Sequence, residues 1–149
     1  MSILAKAIHG AAASHIDQTD KGGRPYILHP LRMMMRLRTD DEELMAIAVL
    51  HDVVEDCGVT FDDLREIGMT ERVIAGVDAL TKRPGETYEA FVDRAIANPD
   101  AILVKREDLR DNSDITRLKG VTEKDLARMQ RYAKAYQRIN DHLTKQRSS

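Results

Sequence analysis

Apolar residues recur along this chain three and four positions apart, the spacing of a helix face, and almost nowhere in the alternation of a half-buried strand. Ile3, Leu4, Ala7, Ile8, Ala11 and Ala12 form one amphipathic face that runs on to about His15. Gly22, Gly23 and Pro25 break the pattern, so residues 20–26 read as a loop. Pro30 suits a first helical turn and opens a second helix to about Arg38, with Leu31, Met34, Met35 and Leu37 inward. Asp40 or Asp41 caps a central helix that Gly58 ends. Thr60 with Asp63 makes a capping box for a short helix to about Ile67. Thr70 caps another, with Val73, Ile74, Val77 and Leu80 inward. After the Pro84-Gly85 break, Tyr88, Phe91, Val92 and Ala95 mark the next helix. Asn98-Pro99-Asp100 starts a run with Ile102, Leu103 and Leu109 apolar. A last helix, from about Thr122 to about Leu143, buries Leu126, Met129, Tyr132 or Ala133, Tyr136, Ile139 and Leu143. The expectation is an all-α domain, a single bundle of about seven or eight helices over residues 1–145, with a frayed tail at 146–149.

Composition narrows the class. With 149 residues, 42% apolar and 32% charged, the chain is one globular domain with a real core. Net charge is −2, which excludes a broad nucleic-acid surface and confines any anion site to a local cluster. Cys57 is the single cysteine, so no internal disulfide forms, which suits the reducing cytoplasm. No apolar run is long enough to span a membrane, and the N-terminus lacks a secretion signal.

One stretch contradicts its own pattern. In Ala48-Val49-Leu50-His51-Asp52-Val53-Val54-Glu55-Asp56, four ionisable residues sit inside a core-facing helix. Such groups are not buried unless something satisfies them, and a metal ion with a bound water would do so. Four residues make about one helical turn, so Glu55 stands over His51 and Asp56 over Asp52. Two other segments supply matching chemistry: His29, where a loop runs into a helix, and Asp108, which shares a helix face with Asn112. Two His and two Asp form a mixed nitrogen and oxygen set with room for water and a phosphate oxygen, which favours Mn²⁺ or another octahedral ion over tetrahedral Zn²⁺. Glu55 and Asp56 are then placed to orient the water and move its proton, one of them holding a proton at neutral pH.

The order His29, His51-Asp52, Asp108 matches the H…HD…D pattern of HD-domain phosphohydrolases. More closely, the chain resembles the hydrolase domain of RelA/SpoT homologues and the stand-alone small alarmone hydrolases. The resemblance rests on His15-x-x-Gln18-x-Asp20-Lys21-x-Gly23-x-Pro25-Tyr26-x-x-His29-Pro30, Leu50-His51-Asp52-x-x-Glu55-Asp56, Leu80-Thr81-Lys82, and Val104-Lys105 with Asp108-x-x-Asp111-Asn112. It implies an HD-domain fold and Mn²⁺-dependent removal of the 3′-pyrophosphate of (p)ppGpp. It implies His29, His51, Asp52 and Asp108 as metal ligands and Glu55 and Asp56 as catalytic carboxylates. Asn112 is implied as a nucleotide contact, and the loop around Asp20 and Lys21 as the guanine-stacking segment. A hydrolase-only chain is expected, because its length leaves no room for a synthetase domain. The expected partner is a small nucleotide, with neither nucleic acid nor membrane.

Positive charge for that polyanion is sought among Lys21, Arg24, Lys105, Arg106, Arg110 and Arg117, with Tyr26 as a pocket wall. Arg32, Arg36 and Arg38 read as the wet side of the second helix. His9, His15 and His142 read as structural or exposed, and Cys57 as a small residue near a helix end. The chain departs from the family in two places: Asp20 replaces one of two basic loop residues, and Arg106-Glu107 replaces Leu-Ala before Asp108. These departures keep open an HD phosphohydrolase acting on another nucleotide, such as a 2′-phosphorylated dinucleotide cofactor or a nucleoside monophosphate. A non-catalytic nucleotide-binding module is the remaining alternative.

Overall fold

The computed structural model describes residues 2–148. Met1 and Ser149, the last residue of the expected tail, lie outside the described residues. In chain order the elements are α1 (Ile3–Ser14), α2 (Leu28–Arg36), α3 (Glu42–Leu50), α4 (Val53–Cys57), α5 (Phe61–Glu66), α6 (Glu71–Ala79), α7 (Tyr88–Ala97), α8 (Ala101–Asn112), a 3-10 turn (Ile115–Arg117) and α9 (Glu123–Ser148). The domain is all-α, as its periodicity demands; a lone bridge between Thr19 and Pro25 closes the loop before α2. Among the described residues no helix is long and apolar enough to cross a membrane.

Side-chain caps set most helix starts. Asp41 accepts the Leu44 N–H at 3.2 Å and opens α3. Thr60 and Asp63 form the reciprocal box on α5, at 3.0 and 2.9 Å. Thr70 and Thr87 do the same for α6 and α7 with single bonds.

The expected single central helix is broken between α3 and α4, at His51-Asp52. The cause is local competition. In an unbroken helix the Asp52 N–H would reach the Ala48 carbonyl; here the His51 Nδ1–H takes that carbonyl at 2.7 Å.

α3 is buried all round rather than on one face, from Ala46 to Leu50 without interruption. It packs against α1, α2, α6 and α8. A smaller cluster of Val92, Ile102, Leu109, Ala135 and Ile139 joins α7, α8 and α9. Three inward assignments fail, among them Ala12 on α1, which is exposed. Leu126 and Met35 are 55% and 67% exposed, while Ala135 and Met33 take core places instead. α2, α8 and the α3–α4 junction meet where the two clusters adjoin, and there the polar residues gather.

Candidate functional site

His29 enters this region from the first turn of α2, His51 and Asp52 from the α3–α4 junction, and Asp108 from the middle of α8. One donor atom each from His29, His51 and Asp108 lie within 4.8 Å of one another, and all three residues are buried. Asp52 joins them. Its Oδ2 lies 2.8 Å from His51 Nε2 and 3.9 Å from His29 Nε2.

Each imidazole is held by its outer nitrogen. His51 Nδ1 is committed to the Ala48 carbonyl, and its Nε2, buried and without an aligned hydrogen-bond partner, faces the carboxylates. His29 Nδ1 lies 2.6 Å from Asp111 Oδ2, and its Nε2 lies 3.0 Å from Asp108 Oδ1. This is the arrangement by which a neighbouring acceptor fixes the ring tautomer and turns the other nitrogen's lone pair toward an ion.

The field of the cluster favours positive charge at its centre. Burial alone would lower the pKa of His51, yet Asp52 and Asp108 raise it well above the ordinary imidazole value. Burial alone would raise Asp108, yet Lys105 and the two imidazoles hold it well below the ordinary carboxylate value. Two anionic carboxylates against two imidazoles with inward nitrogens fit a divalent cation of borderline softness, with further oxygen ligands from outside the chain.

The cluster opens into a cavity of about 220 Å³ lined by Tyr26, Glu55, Asp56, Tyr88, Lys105 and Asn112 among others. Glu55 and Asp56 are exposed at its rim rather than buried, contrary to the expectation that a buried carboxylate pair holds a proton. Glu55 Oε1 accepts the Lys82 N–H at 2.8 Å, and Asp56 Oδ2 accepts from Gln18 Nε2 at 3.5 Å. Partial burial and the charge of Asp52 push both carboxyls above their ordinary values.

The expected substrate contacts divide. Tyr26, Lys105 and Asn112 line the cavity, and each holds a carboxylate. Tyr26 donates its phenol proton to Asp52 Oδ2. Lys105 Nζ donates to Asp108 Oδ2 at 3.0 Å, and Asn112 Nδ2 to Asp108 Oδ1 at 2.9 Å. Lys21 and Arg24 do not line the cavity; Lys21 borders a separate depression with Leu118 to Arg128. Arg106 and Arg110 stand two residues either side of Asp108, about 200° round the helix, and so lie on the far face of α8.

No family model matches the chain. It is 32% identical over 119 residues to a guanosine-3′,5′-bis(diphosphate) 3′-pyrophosphohydrolase of Aquifex aeolicus, a match covering 73% of this chain and 17% of that protein. It is 30% identical over 122 residues to the bifunctional (p)ppGpp synthase/hydrolase SpoT of Escherichia coli, covering 73% and 17%. A Danio rerio protein, also named a guanosine-3′,5′-bis(diphosphate) 3′-pyrophosphohydrolase, is 36% identical over 84 residues, covering 51% of this chain and 47% of its own length. The chain thus spans less than a fifth of the long relatives and about half of the short one. A solved structure, described as a metazoan ortholog of SpoT that hydrolyzes ppGpp, matches at TM-score 0.76 and 24% identity over 93% of this chain and 85% of that one. The chain is an HD-domain protein related to the (p)ppGpp hydrolases.

Within this HD domain the residue that sequence reasoning left without a role is Asp111. It is 1% exposed and orients His29. Arg32 binds it through Nε and Nη2 at 2.9 and 3.1 Å, and Arg36 through Nη1 at 3.1 Å. Arg117 reaches it as well, at 3.3 Å. Arg32 and Arg36 therefore clamp a buried carboxylate; Arg36 and Arg38 are exposed, as expected of the wet side of α2, whereas Arg32 is half-buried. The available signal was the four-residue spacing of Arg32 and Arg36 opposite an acidic position one turn from Asp108.

The two departures also find places. Asp20 Oδ1 accepts the Arg24 N–H at 2.9 Å and ties off the loop, so its carboxylate is structural. Glu107 is buried on the far face of α8, with Arg110 Nη1 at 2.8 Å, and lines no part of the cavity.

Proposed function

We propose that this HD domain is a cytoplasmic, Mn²⁺-dependent hydrolase that removes the 3′-pyrophosphate of (p)ppGpp, releasing GDP or GTP and pyrophosphate. His29, His51, Asp52 and Asp108 hold the ion. The observation that carries the reading is His51 Nε2: a buried nitrogen without an aligned hydrogen bond, 2.8 Å from Asp52 Oδ2 and 3.6 Å from Asp108 Oδ1 and facing a second imidazole, at the floor of a cavity with two more carboxylates on its rim. The names of the relatives supply the substrate class.

A divalent cation held there neutralises phosphate charge and lowers the pKa of a bound water. The residues do the rest. Lys105, Asn112 and Tyr26 fix the carboxylates of Asp108 and Asp52 by hydrogen bonds. Glu55 and Asp56 take the proton of the attacking water and return one to the departing 3′-oxygen, so the ester bond is cleaved with a water split across it. Their raised pKa values bring them closer to neutral pH, where a carboxyl both accepts and donates.

The test is a panel of nucleotides offered to purified protein with Mn²⁺. Pyrophosphate release from ppGpp, lost on chelation, is the expected result. Bound ppGpp without released pyrophosphate would leave a binding module. A second reading has its own observation: neither Lys21 nor Arg24 lines the cavity, so nothing basic from that loop meets a guanine there. Turnover of a 2′-phosphorylated dinucleotide or a nucleoside monophosphate, with ppGpp untouched, would establish that reading instead.

A further inference from the structure

The far face of α8 carries a second concentration of charge. A depression of about 570 Å³ is lined by Arg36, Leu37, Arg38, Arg106, Glu107 and Arg110. Four guanidinium groups meet there with one carboxylate, on a protein whose net charge is −2. None of these residues lines the catalytic cavity.

Internal partners do not use up the charge. Glu107 is buried at the floor and serves two arginines at once, Arg110 at 2.8 Å and Arg106 at 3.7 Å. Arg106 Nε is itself buried and lacks a hydrogen-bond partner. Arg36 gives one nitrogen to Asp111, which Arg32, Arg117 and His29 already share. Arg38 makes no ion pair or side-chain hydrogen bond among the described residues. It is also the one non-glycine residue with positive φ among them, at 47°. A long cationic side chain is thus kept at a backbone conformation that glycine fills more easily.

Helix dipoles account for part of this pattern, since Arg36 and Arg110 lie in the last turns of α2 and α8. They do not account for Arg106, in mid-helix, or for its orphaned nitrogen. Planar forked donors in such number match the paired oxygens of phosphoryl groups.

We propose that this groove binds a diphosphate anion, either free pyrophosphate or the diphosphate end of a nucleotide, at a site separate from the catalytic cavity. The proposal stands on residues outside that cavity and does not depend on the proposed reaction.

The experiment is calorimetric titration of full-length protein, kept in Mn²⁺, with methylenediphosphonate and, in a second arm, GDP. Two substitutions remove the groove's least engaged cations with little risk to the fold: Arg38→Gly relieves the positive φ, and Arg106→Gln keeps helix propensity. Wild type should show a class of diphosphate sites that the double variant binds at least tenfold more weakly, while turnover in the catalytic cavity is unchanged. Asp108→Ala should keep the groove site and lose only the catalytic one. Tighter binding of GDP than of methylenediphosphonate assigns the groove to a nucleotide, and the reverse order to free pyrophosphate. Equal binding by wild type and the double variant overturns the proposal. So does a groove that takes a Glu-rich peptide but no diphosphate.

Discussion

His51 does two jobs with one ring. Its Nδ1 takes the Ala48 carbonyl, which breaks the helix, and that bond leaves Nε2 turned to the carboxylates. Beside it, roles separate cleanly enough to test. Asp52→Ala should abolish metal binding and turnover together. Glu55→Gln should leave metal content intact and slow turnover by roughly two orders of magnitude or more, the scale of lost acid–base catalysis. Metal loss in the Glu55→Gln protein would contradict that division. Asp111→Asn keeps the shape but gives His29 a weaker acceptor, so metal affinity should fall about 10- to 100-fold, read by direct titration. The same residue governs acid stability. Burial pushes its carboxyl up, but His29, Arg32 and Arg117 together hold it well below the ordinary carboxylate value. A folded value below the unfolded one gives stability that is complete above about pH 4 and drains away as pH falls further. The thermal midpoint of wild type should therefore drop more steeply below that pH than that of Asp111→Asn; parallel curves would refute the assignment. His51 and Asp52 were legible beforehand because ionisable groups within an apolar run stand out, and His29 and Asp108 because their order around that pair matches the H…HD…D pattern. Asp111 was not, because a carboxylate in a charged helical stretch looks like surface until the arginines of α2 are seen against it.

At the scale of elements, caps and breakers were read from short spacings and the helices begin close to them. The α3–α4 break was missed because side chain and backbone compete there for one carbonyl, which periodicity does not register. Close approach of helices was equally invisible. Gly76 on α6 lies against α3, and a Cβ there would meet Ile47 Cδ1 at 2.4 Å and Cγ1 at 2.8 Å. Both residues are fully buried. Gly76→Ala gains about 1 kcal/mol of helix propensity but overpacks a site with no slack, at about 1–3 kcal/mol. With two contacts this short the strain should win, and the denaturant midpoint should fall. Ile47→Val removes the nearer atom, so the double variant should recover part of the loss, giving a coupling that independent sites would not show. α9 illustrates the limits of a period alone: its stripe suggested Leu126, but the helix meets α7 and α8 through Ala135 and Ile139.

For the whole molecule, the candidate metal centre ties together α2, the α3–α4 junction and α8, segments that share no local sequence. Metal bound to that folded arrangement stabilises it by mass action, by about 2.7 kcal/mol at a hundred times its dissociation constant. Adding a chelator to the Mn²⁺-loaded protein should lower the thermal midpoint, and the Asp52→Ala protein should show no such difference. An unchanged midpoint in wild type would argue that no ion spans these segments. The amino-acid sequence by itself determined the all-α class, most helix starts and the residues of the candidate metal centre, because each is written in short spacings or in a recurring order of residue types. The tertiary structure alone decided which charges distant in the chain pair. His29 meets Asp111 across 82 positions and Arg36 meets it across 75. It therefore also decided which nitrogen of each imidazole faces inward, that Lys21 and Arg24 stand apart from the cavity, and that four arginines share one groove. Electrostatic partnership across such separations depends on distance in space, and no short-range pattern along a chain encodes it.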